Sequence, residues 1–184
     1  IATGVIRPIV GAEINIGSRV SGIVEDLPVK GGDTVEAGQL LAQIDSTPFE
    51  ALVAQAEADV QVSRAEIALA ESTVKRKQNL AADGYSSEAD LDEAIRDLNV
   101  GRARLALNQA KLRSANINLG YSRITAPIKG VIADVTTREG ETVAANFVAP
   151  TFVSIVDLDR LEVQAYVDET DIGRVFVGQK ARFK

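Results

Sequence analysis

The segment GIVEDLPVKGGDTV, residues 22–35, decides the fold because the chain contains a second version of it. It aligns without a gap with GVIADVTTREGETV, residues 130–143, at an offset of 108 residues. The copies share a leading glycine, an aspartate at the fifth position, a glycine at the eleventh and a closing Thr-Val pair. A β-branched strand, a glycine turn and a second strand make half of a β-sandwich. The repeat predicts two pseudo-symmetric halves that bury a common face.

Each copy leads into a short apolar run that ends in aspartate. These runs are LLAQID, residues 40–45, and FVSIVD, residues 152–157. The second copy needs four extra residues before its run, and the loop near ANFVAP, residues 145–150, supplies them. We therefore predict that residues 13–46 and 122–157 together form the sandwich.

Residues 47–121, between the two copies, have the pattern of a helical hairpin. Thr47 is a plausible N-cap, Pro48 stands at the first helical position and Glu50 completes a capping box. The segment ADGYS, residues 82–86, then breaks the helical pattern. Because the connection is short, two helices of about 35 residues each, about 50 Å long, are expected to run antiparallel.

Seven-residue spacing on both helices predicts the seam between them. In the first helix the predicted seam positions are Val53, Ala56, Val60, Ser63, Ile67, Ala70, Val74 and Ala81. In the second helix they are Leu91, Ala94, Leu98, Gly101, Leu105, Asn108, Leu112, Ala115 and Leu119. Large residues alternate with small ones, which allows close approach of the two helices.

The two ends of the chain predict a third unit, from residues 1–12 and 158–184. LEVQAYVD, residues 161–168, alternates apolar and polar side chains as a strand does. GQKARFK, residues 178–184, is expected to begin another strand, and ATGVIRP, residues 2–8, is a plausible partner. Three strands are too few for a closed sheet, so this unit is expected to be part of a β-barrel. The fold class is therefore α+β, elongated and modular.

Composition excludes several classes of function. The 184 residues contain no Cys, His, Met or Trp, which excludes thiolate and imidazole metal sites and Cys or His nucleophiles. A net charge of −6 argues against a nucleic-acid partner. No run of 18 apolar residues is present to span a bilayer. The start at Ile1 and the lack of Met favour a processed or trimmed piece, so a signal or anchor upstream is expected to lie outside it.

The order of sandwich half, hairpin, sandwich half and partial barrel resembles the periplasmic adaptors called membrane fusion proteins, the HlyD family, of AcrA- or MacA-like type, of tripartite efflux pumps. Three segments carry the resemblance, at residues 20–45, 119–143 and 161–183. It implies a lipoyl/biotinyl-like sandwich in a periplasmic protein that is anchored to the inner membrane by a segment absent from this chain. The implied protein is not an enzyme and has no cofactor or metal.

The same resemblance implies the partners and the binding site. The family's hairpin tip docks onto a TolC-like outer-membrane channel through the motif R-x-x-x-L-x-x-x-x-x-x-S, which here falls on Arg76, Leu80 and Ser87. The barrel end is implied to contact an inner-membrane pump of RND or ABC type. The implied assembly is a homo-oligomer, a trimer or hexamer, around the export path.

Each of these signals also has a structural interpretation. Leu80 lies off the seam and is expected either to dock or to close the hairpin end near Tyr85, and Ser87 makes a good N-cap before Asp90. A biotin or lipoate carrier is the alternative function, but neither connection between the sandwich and the hairpin contains the Asp-Lys-Ala or Met-Lys-Met sequence in which such carriers present their modified lysine. A cytoplasmic coiled-coil scaffold is a third possible function. The acidic residues, favoured for backbone capping over metal binding or acid–base catalysis, are Asp45, Asp157, Asp159, Glu169 and Asp171.

Overall fold

The computed structural model describes residues 3–145, 151–180 and 182. In chain order the strands are β1 Thr3–Pro8, β2 Glu13–Gly17, β3 Gly22–Asp26, β4 Thr34–Val35, β5 Leu40–Ile44, β6 Arg123–Thr125, β7 Gly130–Val135, β8 Thr142–Val143, β9 Thr151–Val156 and β10 Leu161–Tyr166. The helices are α1 Thr47–Ala82 and α2 Glu88–Tyr121, with a 3-10 turn at Ile172–Arg174. The α+β fold with a long helical hairpin is therefore confirmed.

The two repeated segments exchange strands to build the sandwich. One sheet has the order β2-β9-β7-β4 and the other β6-β5-β3-β8. Strand β4 of the first repeat pairs with β7 of the second, Val35 opposite Gly130. In return β8 pairs with β3, Val143 opposite Gly22. Because each sheet contains strands from both repeats, neither half is complete without the other.

The sandwich core lies between these two sheets. Its central side chains are aliphatic or aromatic and lose essentially all of their exposure; the largest are Leu41, Ile44, Ile132, Phe152 and Ile155. The glycines that lead β3 and β7 keep this packing tight. A Cβ on Gly22 would lie 2.5 Å from Ile44 Cγ2, and one on Gly130 would lie 2.6 Å from the Val156 carbonyl oxygen. Both repeat copies therefore need glycine here, because an adjacent strand lies too close to leave room for a Cβ.

The hairpin follows the predicted seven-residue pattern. In α2, the nine predicted seam positions are the residues from 91 to 119 that are buried or half-buried. In α1 every predicted seam position is buried or half-buried. At 1.5 Å per residue, helices of 36 and 34 residues are about 50 Å long. Neither helix is long and apolar enough over any stretch to cross a membrane.

The predicted start of α1 is wrong by one residue. The N-cap is Ser46 rather than Thr47, and it makes no side-chain capping bond. The carboxylate of Asp45 instead accepts the amide hydrogen of Thr47 at 3.0 Å, and Ser46 Oγ donates to Glu50 Oε1 at 2.7 Å. Asp45, which directly follows β5, therefore takes the place of the predicted Thr47 cap by accepting one of the free amide hydrogens of the first turn.

Both ends of the hairpin are anchored in the sandwich. Phe49 at the start of α1 and Tyr121 at the end of α2 pack against the sandwich core. The Arg19 guanidinium carbon lies 5.1 Å from the centre of the Tyr121 ring, within cation–π range. Gln43 Nε2 donates to Ser122 Oγ at 3.3 Å, which ties β5 to the end of α2. These contacts set the direction in which the hairpin projects.

The terminal strands form an open two-stranded ribbon. Strand β1, predicted as a partner for the C-terminal strands, runs antiparallel to β10, with Thr3 opposite Tyr166. The apolar face of β10 is not covered by the described residues, because all six residues are exposed. The strand predicted over 178–184 does not form in its described part, since Gly178 lies in a turn and residues 179, 180 and 182 are not in a strand. Residues 181, 183 and 184, and most of the predicted loop at 145–150, lie outside the described residues.

Candidate functional site

The turn at the far end of the hairpin is built by backbone hydrogen bonds to the last turn of α1. The Tyr85 amide donates to the Leu80 carbonyl at 2.7 Å, and the Gly84 amide donates to the Ala81 carbonyl at 3.1 Å. Gly84 has φ +78°, a left-handed conformation that favours glycine. This compact turn places the end of α1 beside the start of α2.

Ser87 begins α2 with a complete capping box. Its Oγ accepts the Asp90 amide hydrogen at 3.2 Å, while the Ser87 amide donates to Asp90 Oδ2 at 3.3 Å. The Ser87 hydroxyl also donates to Asp90 Oδ2 at 2.8 Å. These bonds from Ser87, with the nearby Lys77 ammonium, hold the pKa of Asp90 below its usual value. The structural interpretation of Ser87 as an N-cap is confirmed, and its side chain remains exposed.

Leu80 lies off the seam on the last turn of α1. Its side chain is 38% exposed, although a seam leucine such as Leu98 is 7% exposed. Tyr85, which the sequence offered as a cover for Leu80, is itself 81% exposed. Arg76 lies one turn before Leu80 on the same side of α1, also exposed, and its Nη2 donates to Thr73 Oγ1 at 3.3 Å. The tip therefore presents an arginine, a leucine and a hydroxyl to solvent.

Sequence reasoning missed one pair of residues at the tip. Lys77 Nζ lies 3.7 Å from Asp90 Oδ1, so an ion pair joins the two helices beside the turn. Lys77 stands three residues after Val74, where the seam pattern continues with a charged residue in place of a small one. This charged residue at a seam position was the sequence signal that could have indicated the ion pair. The pair holds the start of α2, with the cap at Ser87, against α1.

Three of the five acidic residues considered for metal binding, Asp45, Asp157 and Asp159, have structural contacts. Asp45 caps α1, and the Thr47 side-chain and backbone hydrogen bonds hold the pKa of Asp45 below its usual value. Asp159 Oδ2 lies 3.1 Å from Lys129 Nζ, which raises the pKa of that lysine. Asp157 Oδ1 accepts the Asp159 amide hydrogen at 3.1 Å. Among the residues that the structure describes, no three acidic side chains gather as metal ligands would.

Comparisons with known proteins agree with this architecture. The family described as "RND MFP, barrel-sandwich hybrid domain" matches residues 12–155. The chain is 38% identical to macrolide export protein MacA of Yersinia pestis, over 93% of this chain and 50% of that protein. It is 33% identical to multidrug efflux pump subunit AcrA of Escherichia coli K12, over 88% of this chain and 40% of that protein.

A solved structure gives the same result. The crystal structure of MacA from Actinobacillus actinomycetemcomitans is 30% identical with a TM-score of 0.70, over 97% of this chain and 59% of that one. The chain thus spans about half the length of the curated relatives that it matches. The family match covers both sandwich halves and the hairpin between them, so the chain belongs to the membrane fusion proteins with a barrel-sandwich hybrid domain.

Proposed function

We propose that this chain is the hairpin-bearing part of a periplasmic adaptor in a tripartite efflux or secretion system. The adaptor links an inner-membrane pump, of RND or ABC type, to a TolC-like outer-membrane channel. Relatives named as a macrolide export protein, a pyoverdine export membrane fusion protein and a multidrug efflux pump subunit support an export role. The work of such a protein is mechanical, and it needs no catalytic residue.

The exposure of Leu80 at the end of a long arm carries the proposal. Other leucines of the hairpin are also exposed, such as Leu52, but Leu80 lies in the last turn of α1, with Arg76 one turn before it and Ser87 across the connecting turn. A partner that covers Leu80 gains the burial of that surface, worth about 1 to 2 kcal/mol for a part-exposed leucine. When several copies form a ring, each contributes one such contact, and together they bind more tightly than a single contact does. We assign docking on the outer-membrane channel to Arg76, Leu80 and Ser87.

The other parts of the chain have assigned roles in this proposal. The sandwich, residues 13–46 and 122–157, is the rigid base of the hairpin, residues 47–121. The partial barrel, residues 1–12 and 158–184, faces the inner-membrane pump and passes on its conformational changes. The adaptor works in the periplasm, attached to the inner membrane, as a trimer or hexamer.

The test replaces Leu80 with aspartate in the complete protein. Because Leu80 is exposed and off the seam, Leu80→Asp should leave the helix content unchanged but abolish channel-dependent export. Leu52→Asp is the matched control, since Leu52 is a 52% exposed leucine near the base of the same helix. Export is measured with the cognate pump, and helicity by circular dichroism. Normal export by Leu80→Asp, or loss of helicity in it, contradicts the docking role.

Ser87 allows a second, independent test. Asparagine is as good an N-cap as serine and, unlike aspartate, adds no second negative charge beside Asp90, so Ser87→Asn should keep α2 intact while replacing the hydroxyl by a bulkier amide. We expect reduced export at unchanged helicity. Ser87→Ala is the opposite change, because it removes the cap and leaves only a small uncharged side chain. If both variants export normally, Ser87 serves only as a cap.

A further inference from the structure

A cavity of about 660 Å³ opens on one side of the sandwich, where the hairpin joins it. It lies between strands β2 and β6, each the edge strand of its own sheet, and the end of α2 completes its wall. The volume is within the range of small-molecule sites, roughly 300 to 1,000 Å³. Because no described strand pairs with these two edges on this side, backbone polar groups border the cavity together with side chains.

Part of the cavity wall is apolar. Ile14 and Ile16 of β2 are half-buried there, and Ile124 of β6 is buried. Ile16 also packs against the sandwich core, so the cavity reaches the margin of that core. Pro127, just after β6, extends the same surface. A wall of this kind suits the hydrocarbon body of a small molecule and gives a fully hydrated ion no advantage.

The charged side chains that line the cavity are both basic. They are Arg19 and Arg123, and no aspartate or glutamate lines it, although the whole chain has a net charge of −6. Neither arginine forms an ion pair with a carboxylate of the described residues. The carboxylate of Glu13, at the start of β2, instead accepts a hydrogen bond from Ser154 Oγ at 3.1 Å. Two uncompensated positive charges beside an apolar wall favour an anionic ligand.

Arg19 is held in place without a carboxylate. Its guanidinium carbon lies 5.1 Å from the centre of the half-buried Tyr121 ring. A guanidinium that uses its face for an aromatic ring keeps the N–H donors along its edge, and these match the oxygens of a carboxylate or sulfonate. Because the ring already restricts this side chain, less conformational freedom is lost when an anion binds to it.

Gly120, in the last turn of α2, leaves the cavity open. It lines the cavity, and a Cβ built on it would meet no neighbouring segment within 4 Å. Its backbone is part of the helix, a conformation that leucine or alanine adopts more readily than glycine. Neither crowding nor backbone conformation therefore requires a glycine at this position. The missing side chain instead provides space inside the cavity.

We propose that this cavity binds a small amphiphilic anion, an aromatic carboxylate or sulfonate. Arg19 and Arg123 bind its acidic group, and the isoleucines of β2 and β6 contact its ring system. The inference goes beyond the proposed export function, because docking at the hairpin tip does not use the cavity. A bound anion would contact α2, β2 and β6 together, so it would hold the base of the hairpin against the sandwich. A cation is disfavoured by both arginines, and a neutral apolar molecule gains nothing from them.

Two fluorescent probes that differ only in the acidic group test the proposal. 1-Anilinonaphthalene-8-sulfonate has the anionic group, and N-phenyl-1-naphthylamine is the same ring system without it. Each probe is titrated into the complete protein, and its fluorescence gives the dissociation constant. We expect the sulfonate to occupy one saturable site per chain and to bind about tenfold or more tightly than the neutral amine, because hydrogen bonds to a charged group contribute at least that factor. Equal affinities, or no saturable sulfonate binding, overturn the proposal.

Four variants test whether the cavity residues bind the sulfonate. Arg19→Gln and Arg123→Gln should each weaken sulfonate binding about tenfold and leave the affinity of the neutral amine unchanged. Arg138→Gln is the matched control, since Arg138 is an exposed arginine outside the cavity, in the loop before β8, and it should bind the sulfonate normally. Gly120→Leu keeps both arginines but fills the cavity, so it should abolish binding while circular dichroism shows unchanged helicity. Normal sulfonate binding by both arginine variants overturns the proposal, as does normal binding by Gly120→Leu.

Amide hydrogen exchange shows where the sulfonate binds. We expect the probe to slow exchange over residues 14–19 and 120–125 of the unsubstituted protein and to have no effect on Gly120→Leu. Slower exchange confined to other parts of the chain means that the sulfonate binds elsewhere, which overturns the proposal. Leu80→Asp should bind the sulfonate as the unsubstituted protein does, so a failure of docking at the tip is distinguished from a failure of this site.

Discussion

The sandwich and the hairpin bury their apolar residues to different depths. In the sandwich core Leu41, Ile44 and Phe152 have no exposed surface. In the hairpin seam the best-buried aliphatic side chain, Val60, keeps 3% of its surface exposed, and Leu98 keeps 7%. A two-helix seam has solvent along both edges, whereas the sandwich encloses its core between two sheets. The sandwich therefore supplies stability, and the hairpin supplies reach.

The same substitution in both regions gives the largest expected effect. Leu41→Ala removes a side chain enclosed between sheets, where the cavity cannot collapse, and should cost about 3 to 5 kcal/mol of unfolding free energy. Leu98→Ala should cost about 2 kcal/mol, because the neighbouring helix can move in and water can enter. Chemical denaturation, followed by circular dichroism and by amide hydrogen exchange in β5 and α2, measures both. Equal losses would contradict the difference between enclosed core and open seam.

The two repeated glycines offer a finer comparison within the sandwich. A Cβ at Gly130 meets the Val156 carbonyl oxygen at 2.6 Å and Ile155 Cγ2 at 2.7 Å, so backbone of β9 must move. At Gly22 it meets Ile44 Cγ2 at 2.5 Å, a methyl group on a fully buried, β-branched side chain, so Ile44 must shift within the packed core. We expect Gly130→Ala to cost about 2 to 3 kcal/mol, because backbone moves there, and Gly22→Ala about 1 to 2 kcal/mol. Denaturation midpoints of the two variants measure these losses of unfolding free energy. A larger loss for Gly22→Ala would show that Ile44 is fixed more firmly than β9.

Much of this architecture could be predicted because its signals are periodic. The repeated Gly, Asp and Thr-Val residues marked the two sandwich halves, and leucines at seven-residue intervals marked the face of α2 that packs on α1. Their positions depend on local geometry, which sequence spacing records directly. Ser87 belongs to the same class, because a serine three residues before an acidic residue identifies a helix start.

The features that were missed depend on contacts between distant segments. The exchange of β4 and β8 between the halves pairs residues about a hundred positions apart, and no local pattern fixes such a register. The Ser63–Asn108 hydrogen bond of 2.9 Å joins two predicted seam positions, but their partnership depends on the alignment of the helices. Asp45 displaced the predicted cap at Thr47 because β5 delivers its carboxylate to the start of α1.

The smallest expected effect compares the starts of the two helices under acid. Asp45 at the base and Asp90 at the tip each have a lowered pKa because they accept hydrogen bonds, chiefly from Thr47 and from Ser87. A carboxyl whose pKa is lower in the folded state stabilises that state above its unfolded pKa, about 4, and loses the contribution as the pH falls through the folded value. Both helix starts should therefore loosen only below about pH 4.

Carboxyl-carbon NMR titration separates the two sites. Ser87→Ala removes the hydroxyl that Asp90 accepts from, so the pKa of Asp90 should rise toward its usual value while that of Asp45 stays unchanged. Thr47→Ala should raise the pKa of Asp45 alone. A rise at both sites from either variant would mean that the hairpin loosens as a whole, and the base and the tip would then not be independent. Independent responses are expected because the cap of α1 lies at the base of the hairpin and the cap of α2 at its tip, about 50 Å away.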